Sequence, residues 1–290
     1  MSYPDRAYLF ENLFAIGSVN LLAGMSGGGK SRFSFQLTEE IEQKGLLLGM
    51  PSLVSINPIY FALDRTLASV HKTLNTMNCQ LRAPLVSLFD KATAFDELRL
   101  PKPSELKGHN LAIIDGIDCL VPKLTDSREV GRLLFQCSKL AQASDAALLC
   151  ILGTAKVKEG EGYAHPRERI IGSSFWGRLS EDIVLISASE EREDQNARVA
   201  SILPRNAAET NINLTFQGGR LIREILAQPD PNELKLYDLL PDSFTTEEAK
   251  EAAATLQIPR STFTRYITRL CNQRLLMRLG KGCYIKVAVN

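Results

Sequence analysis

From Ser18 to Phe216 the chain alternates between two hydrophobic rhythms. Short apolar runs of strand length, Val19–Ala23, Ile59–Leu63, Leu85–Phe89, Leu111–Asp115, Ala147–Leu152 and Asp182–Ser187, are separated by stretches of helical period such as Arg32–Lys44 and Ser127–Ala143. Continuous apolar runs suit strands covered on both faces, so the alternation predicts an α/β fold with a mainly parallel sheet between helical layers. Asn211–Gln217 reads differently. Ile212, Leu214 and Phe216 fall on one side, Asn213, Thr215 and Gln217 on the other, and Gly218–Gly219 turns the chain into Arg220–Leu226. That hairpin pattern predicts an antiparallel edge to the sheet.

A third texture begins after the Pro-rich stretch Ala227–Pro231, which reads as a linker. Helical patterns cover Asn232–Leu239, Thr245–Leu256 and Arg260–Arg274, and two short strands flank Gly280-Lys281-Gly282. Helix, helix, helix and a two-stranded wing is the order of a winged helix. Thr245 or Thr246 is placed to cap the second helix with Glu248 reaching back, and Gln257–Pro259 breaks the pattern before the third. The expected organisation is a large domain over residues 1–228 and a winged helix-turn-helix domain over 229–290.

Composition changes this picture little. With 44% apolar and 23% charged residues the chain is ordinary for a globular protein, and a formal charge of +1 leaves room for a basic face balanced elsewhere. The six cysteines have no paired spacing, which argues against a zinc site or disulfide framework and for reduced thiols. No apolar run approaches the ~20 residues of a membrane span, and Met1–Arg6 lacks a signal-peptide pattern. A cytoplasmic protein without a membrane partner is expected.

The strongest chemical signal is Gly24-Met25-Ser26-Gly27-Gly28-Gly29-Lys30-Ser31, a G-x-x-x-x-G-K-S phosphate loop that follows an apolar strand and opens an amphipathic helix beginning with Arg32. Glycines let successive amides curl around one anion, and the helix N-terminus adds positive potential. Lys30 is expected on the β- and γ-phosphates of ATP and Ser31 on Mg²⁺. Leu111–Asp115 ends in a carboxylate at the same sheet edge, which makes Asp115 the second candidate metal residue and Asp118 its neighbour. Tyr60-Phe61-Ala62-Leu63-Asp64 ends likewise, so Asp64 is the candidate for orienting the attacking water, or alternatively caps a helix beginning near Arg65.

With these motifs in order, residues 10–226 resemble the RecA-like ring ATPases, most closely the hexameric replicative helicases of DnaB-like and RepA-like type. The resemblance implies a RecA-like P-loop NTPase core, ATP and magnesium as cofactors, and a homo-hexameric ring acting on single-stranded DNA. Asp64 stands where the family usually has Glu. Thr154, after Ile151-Leu152-Gly153, matches the residue that senses the γ-phosphate, and Ile171-Gly172-Ser173-Ser174 is similar to a RepA-like segment. Arg205, in Ser201–Asn206, matches an arginine that completes the neighbouring subunit's site, with Leu203 where the family carries a lysine. In such rings the loop after the strand corresponding to Ala147–Leu152 lines the channel, which points to Lys156, Lys158, Arg167 and Arg169.

The C-terminal region carries its own nucleic-acid signal. Residues 256–290 hold seven cations and no Asp or Glu. Arg260, Ser261, Thr262, Thr264, Arg265, Thr268 and Arg269 lie on the third helix as a recognition helix would present them to duplex DNA, and Lys281 sits at the wing tip. Phe263, Ile267 and Leu270 face a small core, and Trp176 reads as packing. The function expected is an ATP-driven helicase of DNA replication in a plasmid, phage or mobile element. The alternatives are a recombination or strand-annealing ATPase and a nucleotide-gated DNA-binding regulator.

Overall fold

The computed structural model describes residues 7–25, 27–154, 170, 174–188, 196–223, 231–272, 275–280 and 282–286, and within these the side chains of Ser261, Asn272 and residues 277–280 are left aside. The chain divides into two compact units, Met1–Arg223 and Glu224–Asn290.

The first unit opens with a small hairpin, β1 (Tyr8–Phe10) and β2 (Leu13–Ala15). Then follow β3 (Val19–Gly24), α1 (Lys30–Lys44), the short pair β4 (Leu46–Leu47) and β5 (Met50–Pro51), β6 (Pro58–Ala62), α2 (Leu67–Thr76), β7 (Leu85–Ser87) and β8 (Leu111–Asp115). The unit continues with α3 (Ser127–Ser144), β9 (Ala147–Gly153), α4 (Phe175–Leu179), β10 (Ile183–Ala188), β11 (Ala197–Leu203), β12 (Thr210–Gln217) and β13 (Arg220–Arg223). Among the described residues, nine strands form the main sheet in the order β13-β12-β11-β10-β3-β9-β8-β6-β7. From β10 to β7 every neighbouring pair is parallel, and from β10 to β13 every pair is antiparallel. This is the mixed α/β arrangement with an antiparallel edge that the hydrophobic rhythm predicts.

Side-chain alternation sorts each central strand between two cores. In β8, Leu111 and Ile113 join the core that also holds Phe33, Phe35 and Leu37 of α1, whereas Ala112 and Ile114 join Val130, Leu134 and Cys137 of α3. Strands split in this way are apolar at every position, and that is why their pattern is continuous. Trp176 is fully buried in the α3-side core.

Some elements lie outside the sequence expectation. The pairs β1–β2 and β4–β5 are only two or three residues per strand, too short for any periodicity to register. The antiparallel edge has three strands rather than the expected two, because β11 also belongs to it. The strand expected from Asp182 begins at Ile183 instead. The Asp182 carboxylate is buried and accepts the Phe14 amide at 2.7 Å, a long-range tie to β2.

The second unit contains α5 (Pro231–Leu239), β14 (Ser243–Thr245), α6 (Thr246–Thr255), α7 (Arg260–Asn272), β15 (Leu276–Gly280) and β16 (Cys283–Lys286). Its three strands pair antiparallel in the order β14-β16-β15, so a strand before α6 adds to the two expected. Thr245 caps α6 in a full capping box with Glu248, and Gln257 turns the chain toward α7 with a φ of 54°. The small core gathers Leu236, Phe244, Ala249, Phe263, Tyr266, Ile267 and Leu270. Among the described residues no helix is long and apolar enough to cross a membrane. All six cysteines are free thiols; Cys79, Cys137 and Cys150 are buried, whereas Cys283 is exposed.

Candidate functional site

Strand register brings the candidate residues to one edge of the sheet. Gly24 ends β3 level with Gly153 of β9, Asp115 of β8 pairs with Ile151, and Ala62 of β6 pairs with Asp115. In open α/β sheets ligands bind outside the carboxyl ends of the strands, where neighbouring connections diverge. A cavity of about 680 Å³ lies there, lined by Gly27, Gly29, Lys30, Ser31, Arg32, Asp64, Arg65, Asp115, Asp118 and Phe216 among others.

The phosphate loop is tightly wound. Gly27 and Gly29 have φ of 74° and 87°, and the Gly28 amide donates to Met25 O at 2.9 Å. A Cβ on Gly28 would meet that same carbonyl at 2.9 Å, and one on Gly24 would meet Ile186 O at 2.9 Å. The loop therefore holds its curl only with glycine at these points. Helix α1 follows with no side-chain cap and no acid in its first turn. Its leading amides and the dipole behind them thus favour an anion. Lys30 Nζ donates to Met25 O at 3.1 Å. Burial lowers the Lys30 pKa, against the pull of Asp118, Asp115 and Asp64. Ser26 lies outside the described residues.

Behind the loop is a set of oxygens. Asp115 is buried; Tyr60 Oη donates to its Oδ2 at 2.8 Å and shares a hydrogen bond with Ser34 Oγ of α1 at 2.9 Å. Burial raises the Asp115 pKa, opposed by the charge of Arg65 and by hydrogen bonds from Tyr60 and Ser31. Burial raises the Asp118 pKa in the same way. Burial raises the Tyr60 hydroxyl as well, and the Asp115 charge adds to the shift. Ser31 Oγ, Asp115 and Asp64 converge on one cation, the Arg65 guanidinium. Its Nη2 lies 2.9 Å from Ser31 Oγ, 3.5 Å from Asp115 and 3.2 Å from Asp64 Oδ2, and its Nε lies 2.9 Å from Asp64 Oδ1. A centre built of hard oxygens around positive charge fits Mg²⁺ held by a hydroxyl, a carboxylate and phosphate oxygens. It is not an all-protein cage: among the described residues no cluster of three His, Cys, Asp or Glu forms a metal site.

Asp64 owes its position to Gly116, because a Cβ there would sit 2.8 Å from Asp64 Cβ. The alternative of Asp64 as a helix cap is not what the backbone adopts. Thr66 caps α2, accepting from the Ser69 amide at 3.2 Å, and the helix starts at Leu67. Thr154 follows the end of β9. It is buried, its backbone pairs with Gly24 and Ile170, and its neighbour Gly153 lines the cavity.

Arg205 follows β11, whose end pairs with Ile183 at the start of β10, whereas Gly24 pairs with Ile186 near the other end of that strand. It thus lies toward the sheet edge opposite its own phosphate loop. Its Nη2 donates to the carbonyls of Arg178 at 2.5 Å and Ser180 at 2.7 Å. Lys156, Lys158, Arg167, Arg169, Lys281 and the segment 171–173 lie outside the described residues.

In the second unit, Arg260, Thr264, Arg265 and Thr268 are exposed along α7 and Thr262 is half-buried. Ser261 belongs to the helix, with its side chain outside the description. Arg269 differs from the expected phosphate contact. Its Nη2 ion-pairs at 3.2 Å with Glu233 of α5, a fully buried carboxylate. The acid-free stretch is therefore neutralised in part from another helix.

Sequence reasoning missed Arg65, Tyr60, Gly116 and Phe216. Tyr60 had one available signal: a tyrosine inside an apolar strand must find a partner for its hydroxyl. Phe216 lies near Gly29 with the Arg32 guanidinium 5.8 Å from its ring centre, so the edge hairpin closes one side of the cavity.

No family model matches the chain, and no curated protein matches its sequence. The likeness is one of fold. The KaiC-like protein of the hyperthermophilic archaeon Pyrococcus horikoshii superimposes with a TM-score of 0.51 at 11% identity, over 74% of this chain and 93% of that one. The fold is thus a RecA-like α/β fold.

Proposed function

We propose that the chain is an ATP hydrolase whose RecA-like core drives a ring acting on nucleic acid, of the replicative-helicase type. The observation that carries the reading is the juxtaposition at one sheet edge of an anion-seeking helix start with Lys30 and the oxygens of Ser31, Asp64 and Asp115. The likeness to a KaiC-like protein supports a nucleotide-driven core. When bound, magnesium neutralises charge on the phosphates. Lys30 holds the β- and γ-phosphates, Ser31 and Asp115 hold the metal, and Asp64 orients the attacking water.

Arg205 faces away from its own site, so its proposed role belongs to a neighbouring subunit, and hydrolysis then requires oligomers. The expected result for Arg205→Ala is nucleotide binding with hydrolysis lower by about 10²-fold or more. Activity should return on mixing with Lys30→Ala subunits. Full hydrolysis by Arg205→Ala alone rejects the assignment.

The second unit, read as a winged helix, offers the exposed face of α7 to duplex DNA, and Lys156, Lys158, Arg167 and Arg169 are the proposed channel contacts. Adding single-stranded DNA to an ATPase assay, with particle mass measured in parallel, tests the whole reading. Stimulation together with ring-sized particles is expected. Slow hydrolysis indifferent to single strands, with one protected duplex sequence in footprinting, favours the regulator. That outcome would rest on Arg260 and Arg265, the exposed cations of α7.

A further inference from the structure

Arg65 grips the oxygens that the preceding reading gives to magnesium. One guanidinium touches Ser31 Oγ, Asp115 and both oxygens of Asp64. This is a built position rather than a surface rotamer. The Arg65 carbonyl accepts from Ser87 Oγ at 3.0 Å, Ser87 Oγ accepts from the Asp90 amide at 2.9 Å, and Asp90 Oδ2 accepts from the Leu67 amide at 2.8 Å. Strand β7, the following turn and the start of α2 therefore hold the backbone from the Arg65 carbonyl to Leu67. Burial alone would lower the guanidinium's pKa, but the hydrogen bond to Asp64 and the charges of Asp115 and Asp64 raise it overall.

A divalent ion taking Ser31 Oγ and Asp115 would need oxygens that the Arg65 guanidinium already holds. Like charges sharing one set of oxygens repel strongly even at the effective dielectric of a half-buried site. Both cannot keep Ser31 and Asp115 at once.

We propose that Arg65 is a positioning residue that competes with magnesium for Ser31 Oγ and Asp115, and so sets how much metal the site needs to bind nucleotide. The proposal rests on the phosphate-loop reading and adds a residue to it. Metal and guanidinium are then coupled through shared oxygens, and each weakens the hold of the other. The pair with Asp64 is also held through Nε, so it can persist when Nη2 leaves Ser31.

The test measures binding of a non-hydrolysable ATP analogue by the full chain across a magnesium titration, without any activity readout. In Arg65→Gln and Arg65→Met, the magnesium concentration for half-maximal binding should fall by about fivefold or more relative to the parent. Arg65→Lys keeps the charge, should fold in any case, and should stay near the parent. A midpoint in Arg65→Gln and Arg65→Met equal to or above that of the parent, with folding confirmed by Trp176 fluorescence, overturns the proposal. If the parent takes up the analogue, only this inference falls. If no protein in the series, parent included, binds the analogue at any magnesium concentration, the phosphate-loop reading falls with it.

Discussion

Lys30→Ala should lose ATP hydrolysis by about 10²- to 10³-fold while the thermal unfolding transition stays in place. The magnitude follows from removing a preorganised charge aimed at phosphate oxygens. The stability half of the expectation follows from the structure. Among the described residues Lys30 Nζ donates to Met25 O, and its ammonium is already disfavoured by burial. Truncation removes a strained charge and leaves the loop's glycine curl intact. Helix α1 should not suffer, since alanine is a good helix former at its first position. Steady-state hydrolysis and a fluorescence melt of Trp176, the only tryptophan in the chain, make the two measurements. Hydrolysis at the parental rate would remove the site assignment.

Arg269→Ala should destabilise the second unit by about 3 kcal/mol, because it takes the cation from a buried carboxylate. Glu233 is fully buried and the Arg269 side chain mostly so, which leaves little water to screen the pair. The same pairing predicts that replacing both partners by apolar residues of similar size, Arg269→Met with Glu233→Leu, restores most of the loss. Trp176 reports only on the first unit, so its transition should not move while far-ultraviolet circular dichroism shows an earlier partial transition. An unfolding profile of Arg269→Ala within ~0.5 kcal/mol of the parent would sink the argument. If Arg269→Ala is destabilised as expected, any loss of DNA binding in it reflects folding, whereas the same loss in Arg265→Ala would report contact.

The comparison of Arg265 with Arg269 shows how far the sequence reaches. Both lie on α7 and both belong to a stretch without acids, so the pattern treats them alike. Only the packing of α5 against α7 distinguishes them, and no local spacing encodes that Glu233 meets Arg269. The carboxyl edge of the sheet was more readable. The apolar runs before Asp64 and Asp115 announce themselves because each stops at a carboxylate, and the glycine loop has its whole context in contiguous residues. What lay hidden at the same edge depended on register. Arg65 reaches Ser31 and Asp115 because β6 pairs with β8 level with Asp115 and because Gly116 leaves room for Asp64. The surroundings of Thr154 were hidden likewise, since they rest on its pairing with Gly24 and Ile170.

The two outermost strands of the large sheet have a further consequence. Among the described residues β7 at one rim has three residues and β13 at the other has four. Rims this brief expose little unpaired backbone to a passing chain, which is one way proteins avoid runaway stacking. Joining copies by lengthening this sheet would start from that small stretch, so side chains at these rims are the place where substitutions would tell most.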